Sequence, residues 1–293
     1  MSTIRYLYGS PTTSYLICTT PRSGSTFLSQ ALASTGVAGR PEEYFQQLTA
    51  TGLPRRPVDY LEGLDAEAVP TPRGAPDGDH RVDPMFDPRR FAGFGDYVSW
   101  VLGTATTSNG VFGAKIMSAY VDGLATGLRE ALGDPAPDTT PGLLATVFPR
   151  LRYVFLVRED KVRQAVSLWR AIQTWQWRED APEAGHVDAA RGDGALRYDF
   201  AALDHLRRRL ADEERWWRAY FADAGIEPLT IAYEQFADGH DDVVRAVLRH
   251  LEIPFDGTWT LPSPTMRRQS DGLSGDWAAR FAAEASATAE ASR

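Results

Sequence analysis

Apolar residues form four short, continuous runs along the chain, and each run predicts a buried β-strand. The predicted strands cover residues 14–19, 111–116, 153–157 and 228–233. Between these runs, apolar residues at helical spacing predict helices over residues 27–32, 42–48, 91–102, 121–132, 161–173, 200–222 and 241–251. Strands that alternate with helices are typical of an α/β fold, in which helices flank both faces of a central parallel sheet.

Other segments predict loops and a tail. Residues 65–90 and 133–142 are rich in Pro, Gly and Asp, and residues 180–195 show no apolar period. The first of these segments is long enough to indicate a lid or a binding segment. Residues 282–293 are rich in Ala and Glu and predict a low-complexity tail that frays. We therefore expect a single domain over residues 1–281, followed by this tail.

The composition excludes several classes of protein. The chain has 293 residues, of which 43% are hydrophobic and 24% are charged, so wholesale disorder is excluded. Its single cysteine, Cys18, excludes a disulfide framework and a cysteine-cluster metal site, and it favours a reducing cytoplasm. A net charge of −8 argues against non-specific nucleic-acid binding. No apolar run approaches the ~20 residues that cross a bilayer, and the first residues do not have the pattern of a signal peptide.

The segment after the first predicted strand carries the strongest chemical signal. Arg22, Ser23, Gly24, Ser25 and Thr26 bring an arginine, a glycine and three hydroxyls to the start of a predicted helix. Backbone N–H groups at a helix N-terminus bind anions, glycine permits close approach, and arginine and hydroxyl groups add donors. The segment predicts a phosphate site, but it is not the GxxxxGK[ST] form because no lysine precedes the hydroxyl pair. The alternative is a capped helix that binds no anion.

Charged and aromatic residues lie at or near the carboxyl ends of the other predicted strands. Lys115 lies at the end of the second strand, Arg158 follows the third, and Tyr233 ends the fourth. Open parallel sheets bind their ligands at that edge. We therefore expect these three side chains to share one site with residues 22–26.

Four blocks of sequence, in order, resemble sulfotransferases that use 3′-phosphoadenosine-5′-phosphosulfate (PAPS). Residues 20–26 resemble the loop that binds the 5′-phosphosulfate of PAPS. Residues 33–45, 110–115 and 158–171 resemble the trehalose 2-sulfotransferase family in particular, and the resemblance covers most of residues 14–280. It implies a P-loop-like nucleotide-binding sulfotransferase fold, PAPS as the donor co-substrate without a metal, and a homodimer.

The resemblance also implies how the rest of the donor is bound. Arg158 and Ser167 would bind the 3′-phosphate, because a guanidinium and a hydroxyl suit a dianion. Tyr233 would lie near adenine, with a tyrosine that caps the core as the alternative. Arg268, which we favour over Arg267, would complete the 3′-phosphate site from a segment that departs from the common Arg-Lys-Gly form. PAPS is highly anionic and the chain is acidic overall, so the donor requires a local cluster of basic residues. The candidates are Arg22, Lys115, Arg158 and Arg268.

Transfer of a sulfuryl group to a hydroxyl needs a base for the hydroxyl proton. In the trehalose family a glutamate serves, and the matching position is Glu43; its neighbour Glu42 cannot point the same way on a helix. The alternative for Glu43 is an acid in the first turn of a helix. Lys115 would stabilise charge on the bridging oxygen or on the moving sulfuryl group, and the alternative is a lysine that snorkels to the sheet rim. None of the five histidines lies in a matching block, and His80 is the second candidate base.

The sequence thus predicts an enzyme that transfers a sulfuryl group from PAPS to a hydroxyl of a carbohydrate or glycoside of the trehalose type. The alternatives are a sulfotransferase for a hydroxylated natural product, a P-loop-type small-molecule kinase, and a nucleotide-binding protein without catalysis. The missing loop lysine and Mg²⁺ aspartate count against the kinase, and Glu43 counts against the non-catalytic protein. Trp169, Trp175 and Trp177 predict core packing rather than sugar contact, and at least one of Trp216 and Trp217 must be core.

Overall fold

The four predicted strands form one parallel sheet in the computed structural model, which confirms the α/β fold class. The structure describes residue 4 and residues 11–64, 86–174, 177, 196–255 and 272–291. The strands are β1 (Thr13–Thr19), β2 (Val111–Met117), β3 (Leu151–Val157) and β4 (Leu229–Ala232), in the order β2-β1-β3-β4. In the register, Leu16 lies opposite Ala114 of β2 and Tyr153 of β3. The carboxyl ends of all four strands therefore meet at one edge of the sheet.

Nine helices are present in the described part of the chain, and most lie where the apolar spacing predicts them. They are α1 (Ser25–Ser34), α2 (Phe94–Ala105), α3 (Val121–Leu132), α4 (Thr140–Val147), α5 (Lys161–Thr174), α6 (Phe200–Asp223), α7 (Tyr233–Asp238), α8 (His240–His250) and α9 (Gly272–Ala291). Short 3-10 helices cover Pro57–Leu61, Pro88–Arg90 and Ser118–Tyr120. The long loop predicted over residues 65–90 and the loop over 180–195 lie largely outside the described residues.

The chain divides into two compact units. The first contains residues 1–55, 80–159 and 213–263, and the second contains residues 56–79, 160–212 and 264–293. The prediction of a single domain over residues 1–281 stays a prediction.

The first unit buries both faces of the sheet. Because side chains alternate along a strand, Leu16 and Cys18 of β1 face one core while Tyr15 and Ile17 face the other. The core around Leu16 includes residues of α2 and α3, and the core around Ile17 includes residues of α1 and α8. Apolar residues on both faces are buried in these cores, which explains why the strands appear in the sequence as nearly continuous apolar runs.

The second unit packs α5 and α9 around aromatic side chains. Trp169 of α5 is fully buried, and its indole Nε1 donates a hydrogen bond of 2.7 Å to the Arg197 carbonyl. Phe200 and Phe281 stack with ring centroids 4.9 Å apart. Trp169 is therefore a core residue, as predicted, and sugar contact by this side chain is excluded. Trp175 lies outside the described residues.

Two segments that predict loop or fraying are helical. Residues 140–147 form α4, within and beyond the loop predicted over 133–142, because the Thr139 hydroxyl caps the helix by accepting from the Gly142 N–H at 3.2 Å. Proline, which favours a loop in the sequence pattern, is compatible with the first turn of a helix. Residues 282–291, predicted to fray, continue α9, where Arg280 and Glu284 pair at 2.7 Å one turn apart.

Candidate active site

The loop between β1 and α1 is tied to the carboxyl edge of the sheet. The Thr19 hydroxyl lies 2.5 Å from the Ser23 hydroxyl and donates to the Leu156 carbonyl of β3 at 3.0 Å. The Trp217 indole Nε1 donates to the Thr19 carbonyl at 2.9 Å. Trp217 is buried, as the sequence predicts for one of the two adjacent tryptophans, and Trp216 is partly exposed. These bonds fix the point from which the loop leaves the sheet.

The loop enters α1 through a left-handed glycine. Gly24 has φ +87°, a conformation that disfavours residues with a side chain, and it caps α1. The Leu28 N–H donates to the Gly24 carbonyl at 3.1 Å, so the N–H groups of residues 25–27 precede the first helical hydrogen bond. Ser23 and Ser25 are buried beside these amides. The local geometry is that of a helix N-terminus, a type of structure that can bind an anion.

Tyr233 and Arg158 pack against this loop. A Cβ on Gly24 would lie 2.4 Å from Cδ2 of Tyr233, so the ring occupies the space that a side chain would need. The Arg158 guanidinium carbon lies 4.7 Å from the centroid of the same ring, in cation–π contact. Arg158 Nη1 also donates to the Arg22 carbonyl at 3.0 Å. The loop, Arg158 and Tyr233 are therefore one cluster, as the strand-end argument predicts.

Tyr233 begins a helix instead of ending a strand. The fourth strand stops at Ala232, and Tyr233 is the first residue of α7. The following residue, Glu234, accepts a hydrogen bond of 3.2 Å from the Glu159 N–H. Tyr233 is half-buried and contacts Arg158 and Gly24. Its predicted proximity to adenine stays a prediction.

Lys115 joins the loop to Glu43. It lies within β2, two residues before the strand ends at Met117. Its Nζ lies 3.1 Å from the Thr26 hydroxyl and 3.4 Å from Glu43 Oε2. Only 5% of the Lys115 side chain and 15% of the Glu43 side chain are exposed, so the ion pair is largely shielded from water. Lys115 does not snorkel to the sheet rim, because its ammonium is buried between two polar partners.

The segment that carries Glu43 is extended, and the helix predicted over residues 42–48 is wrong. Glu42 forms an isolated parallel bridge with Ala114, and the Lys115 N–H donates to the Glu42 carbonyl at 3.0 Å. Hydrogen bonds to β2 therefore replace the helical ones. The alternative interpretation of Glu43, an acid in the first turn of a helix, falls with the helix.

Two residues that sequence reasoning missed hold residues 40–49, the Glu43 segment. The Tyr97 hydroxyl donates to the Tyr44 carbonyl at 2.5 Å, and Gln46 Nε2 donates to the Glu43 carbonyl at 2.8 Å. Tyr97 is completely buried, so it reads in the sequence as one more apolar position of α2. The sequence indicates a hydrogen bond only through the hydroxyl itself, because a buried Tyr O–H usually finds a partner.

The contacts described so far do not test the roles of the other predicted site residues. Ser167 lies in α5, which belongs to the second unit, and its pairing with Arg158 stays a prediction. Arg268, Arg267 and His80 lie outside the described residues. His205 lies on α6, where its Nε2 is 3.1 Å from the Tyr60 carbonyl.

The thiol at this edge of the sheet is chemically inert. Cys18 is buried in β1, and burial raises the pKa of its thiol well above the ordinary value. Since the thiolate is the reactive form, nucleophilic chemistry through Cys18 is excluded.

Among the residues that the structure describes, no group of three or more His, Cys, Asp and Glu side chains could hold a metal ion. None of the described helices is long and apolar enough to span a membrane.

Comparisons with known proteins give the family and its named relatives. Residues 14–284 match the model of the Stf0 sulphotransferase family. The chain is 34% identical over 286 residues to the trehalose 2-sulfotransferase of Mycobacterium tuberculosis, covering 92% of this chain and 95% of that protein. It is 31% identical over 283 residues to the trehalose 2-sulfotransferase of Mycolicibacterium smegmatis, covering 93% and 96%. A sulfotransferase domain of the Synechococcus PCC 7002 olefin synthase covers 95% of this chain and 98% of that chain, at 15% identity and a TM-score of 0.35.

Proposed function

The chain belongs to the Stf0 sulphotransferase family and is a sulfotransferase, and on that premise we propose that it transfers a sulfuryl group from PAPS to a hydroxyl of a carbohydrate of the trehalose type. Two relatives of at least 31% identity carry the name trehalose 2-sulfotransferase, which supports the class of acceptor. The donor is proposed from the loop at residues 22–26 and from its resemblance to a 5′-phosphosulfate loop.

The contact of Lys115 with both Thr26 and Glu43 is the observation that carries the proposal. Sulfuryl transfer needs an anion site for the donor, a cation for the leaving oxygen and a base for the acceptor. Thr26 lies at the loop that would hold the 5′-phosphate, and Lys115 Nζ is 3.1 Å from its hydroxyl. Glu43 lies 3.4 Å from the same ammonium. A single buried lysine thus connects the proposed donor site with the proposed base.

The proposed reaction assigns a step to each group. The acceptor oxygen attacks sulfur, and its bond to sulfur forms as the bond from sulfur to the bridging phosphate oxygen breaks. Glu43 takes the hydroxyl proton, which raises the nucleophilicity of the attacking oxygen. Negative charge that develops on the leaving phosphate is stabilised by the Lys115 ammonium and by the N–H groups at the start of α1. The products are the sulfated acceptor and 3′-phosphoadenosine-5′-phosphate.

Selectivity for a 3′-phosphate is assigned to Arg158, Ser167 and Arg268. In the structure Arg158 is already oriented by the Arg22 carbonyl and the Tyr233 ring. An arginine held in this way loses less side-chain freedom when it binds a phosphate. Tyr233 is assigned to the adenine side, because an aromatic face suits a base.

Donor binding is tested by calorimetric titration. We expect 3′-phosphoadenosine-5′-phosphate to bind more tightly than AMP by ~1.5–3 kcal/mol, the contribution of charge-assisted hydrogen bonds to the 3′-phosphate. Arg158→Lys keeps the charge but loses the planar fork, so the variant should discriminate less between the two nucleotides. Equal affinity of the wild-type protein for AMP and the bisphosphate would refute the donor assignment.

The acceptor is tested by transfer of label from [³⁵S]PAPS. Trehalose, other disaccharides, simple glycosides and hydroxylated natural products are compared, with ATP as a control donor. Label on trehalose or a related glycoside supports the proposal, whereas label only on a natural product replaces the proposed acceptor class. Phosphate transfer from ATP, without sulfate transfer from PAPS, would favour the kinase instead.

Two further assignments stay proposals. The homodimer rests on the family resemblance, and a concentration-independent monomer mass in light scattering would refute it. A cytoplasmic location rests on the single, buried cysteine, which is typical of a reducing compartment. Fractionation of the native host would test it.

A further inference from the structure

Gly123 lies at the start of α3, where the helix meets the backbone of the Glu43 segment. A Cβ on Gly123 would lie 1.9 Å from the Gln47 carbonyl oxygen and 3.5 Å from the Thr49 nitrogen. Real Cβ atoms do not come within 3.0 Å of such an atom, so any side chain at Gly123 would force the two backbones apart by about 1 Å. The obstacle is backbone, and it cannot be relieved by rotating a side chain.

The Glu43 segment is held at several points on either side of Glu43. Before it, the Arg40 N–H donates to the Ala105 carbonyl at 2.8 Å, and the Glu42 carbonyl accepts from β2. After it, the Tyr44 carbonyl accepts from the Tyr97 hydroxyl. The contact between Gly123 and the Gln47 carbonyl is the next restraint along the chain.

A displacement at Gln47 has a short route to Glu43. Gln46, the preceding residue, donates from its side-chain Nε2 to the Glu43 carbonyl at 2.8 Å. The Glu43 carboxylate lies 3.4 Å from the buried ammonium of Lys115, so a small displacement of Glu43 would lengthen this contact. Because the upstream hydrogen bonds to β2 stay in place, we expect movement at Gln47 to be taken up by residues 43–46, and so to disturb the Tyr44 and Glu43 carbonyls that Tyr97 and Gln46 hold.

We propose that Gly123 is a positioning residue for Glu43. Because Gly123 has no side chain, α3 packs directly against the backbone of the Glu43 segment, and this contact sets the position of the Glu43 carboxylate beside Lys115. This inference rests on the proposed function, because it takes Glu43 as the base. Gly123 touches no reacting atom and acts only through the segment. A misplacement of ~1 Å by a residue away from the chemistry can lower the rate ~10²-fold.

The test is Gly123→Ala, with Gly127→Ala as the matched control. Gly127 lies one turn further along α3, and its Cβ would lie 2.6 Å from the Phe94 ring, which is a side chain of α2 and not the backbone of the Glu43 segment. Both variants should unfold at a lower temperature than the wild type. At a temperature where each is folded, only Gly123→Ala should lose turnover, by ~10–100-fold in kcat. Its affinity for 3′-phosphoadenosine-5′-phosphate should stay within about twofold of the wild type.

A double-mutant cycle separates positioning from a general structural effect. If Gly123 acts through Glu43, adding Gly123→Ala to Glu43→Gln should lower the residual kcat by less than about threefold. An equal loss in the wild-type and Glu43→Gln backgrounds would overturn the inference, as would equal kcat losses for the Gly123 and Gly127 variants. Should Gly123→Ala fail to fold, Tyr97→Phe removes the neighbouring restraint on Tyr44 and carries the same expectations.

Failure of the proposed function gives a different result. If the wild-type protein transfers no sulfuryl group from PAPS, the proposed function is refuted and this inference with it. If Glu43→Gln turns over normally, the base is another group, with His80 the next candidate, and the inference falls while sulfuryl transfer stands. If Glu43→Gln is slow but Gly123→Ala is not, only this inference is refuted.

Discussion

Replacement of Lys115 by methionine is the sharpest test of the buried contact between Lys115 and Glu43. Methionine has a similar length but no charge, so Lys115→Met leaves the Glu43 carboxylate without its ammonium. At 3.4 Å and an effective dielectric constant of about 20, the two charges attract by ~5 kcal/mol before desolvation is subtracted. Removing one partner of a buried pair costs ~3–5 kcal/mol, because the remaining charge stays buried. Since 15% of the Glu43 side chain is exposed, we expect the lower end of that range.

The measurement is denaturant unfolding, which gives the free energy of unfolding from the midpoint and slope. Lys115→Met should lower it by ~3 kcal/mol. The double variant Lys115→Met/Glu43→Gln contains no uncompensated charge, and it should regain most of the lost stability. Wild-type stability of the single variant would show that water already screens the pair, and the reasoning from burial would be wrong.

Catalysis and stability should respond differently to the same two substitutions. Loss of one preorganised cationic donor lowers kcat by ~10²–10³-fold. Turnover should therefore fall in Lys115→Met and stay low in the double variant, even where stability is regained. The double variant also lacks the proposed base, so recovery of its turnover together with stability would mean that neither side chain takes part in the reaction, and the proposed roles of both Lys115 and Glu43 would be withdrawn.

Three further predictions concern the loop, the base and the pH dependence. Glu43→Gln should lower kcat by ~10²–10⁴-fold with donor binding nearly unchanged, whereas Glu42→Gln should do much less; steady-state kinetics compares the two. Gly24→Ala places a Cβ 2.4 Å from the Tyr233 ring at φ +87°, so titration should show weakened nucleotide binding, and unchanged affinity would contradict the assignment of residues 22–26 to the donor site. Burial lowers the pKa of His250, so its contribution to stability is present above its ordinary pKa of ~6.5 and is lost as pH falls below it. The unfolding temperature should therefore drop less in His250→Gln than in the wild type between about pH 7.5 and 5.5.

The strands and most helices were predictable because burial leaves a direct trace in the sequence. β3 is buried along most of its length, and its continuous apolar run admits few other structures. The helix α3 has the predicted bounds, Val121–Leu132, since its buried positions recur at helical spacing and Gly133 ends it with φ +71°. In both cases the local pattern and the tertiary environment agree.

The failures arise where tertiary hydrogen bonds compete with local spacing. Residues 42–48 have apolar positions compatible with a helix, yet their backbone groups bond to β2 and to Tyr97. No property of the segment itself records those partners. At residues 140–147 the opposite error occurred, because Pro and Gly suggested a loop where a threonine cap and a proline in the first turn begin a helix.

Lys115 illustrates how far the site itself could be predicted. Its strand is otherwise buried and apolar, and a lysine in such a strand must pair with a polar group or stay neutral. The sequence therefore predicts that Lys115 has a polar partner, but it does not identify that partner. The parallel register supplies the answer: Lys115 lies opposite Ile17 of β1, two residues before that strand ends at Thr19 and the loop begins. From there its ammonium reaches Thr26 at the start of α1.

The loop lacks the lysine of a GxxxxGK[ST] motif, and the neighbouring strand supplies an ammonium beside the same hydroxyl. Because that lysine comes from a strand that also pairs with Glu42, it reaches Glu43 as well, and one residue links the anion loop to the carboxylate that we propose as the base.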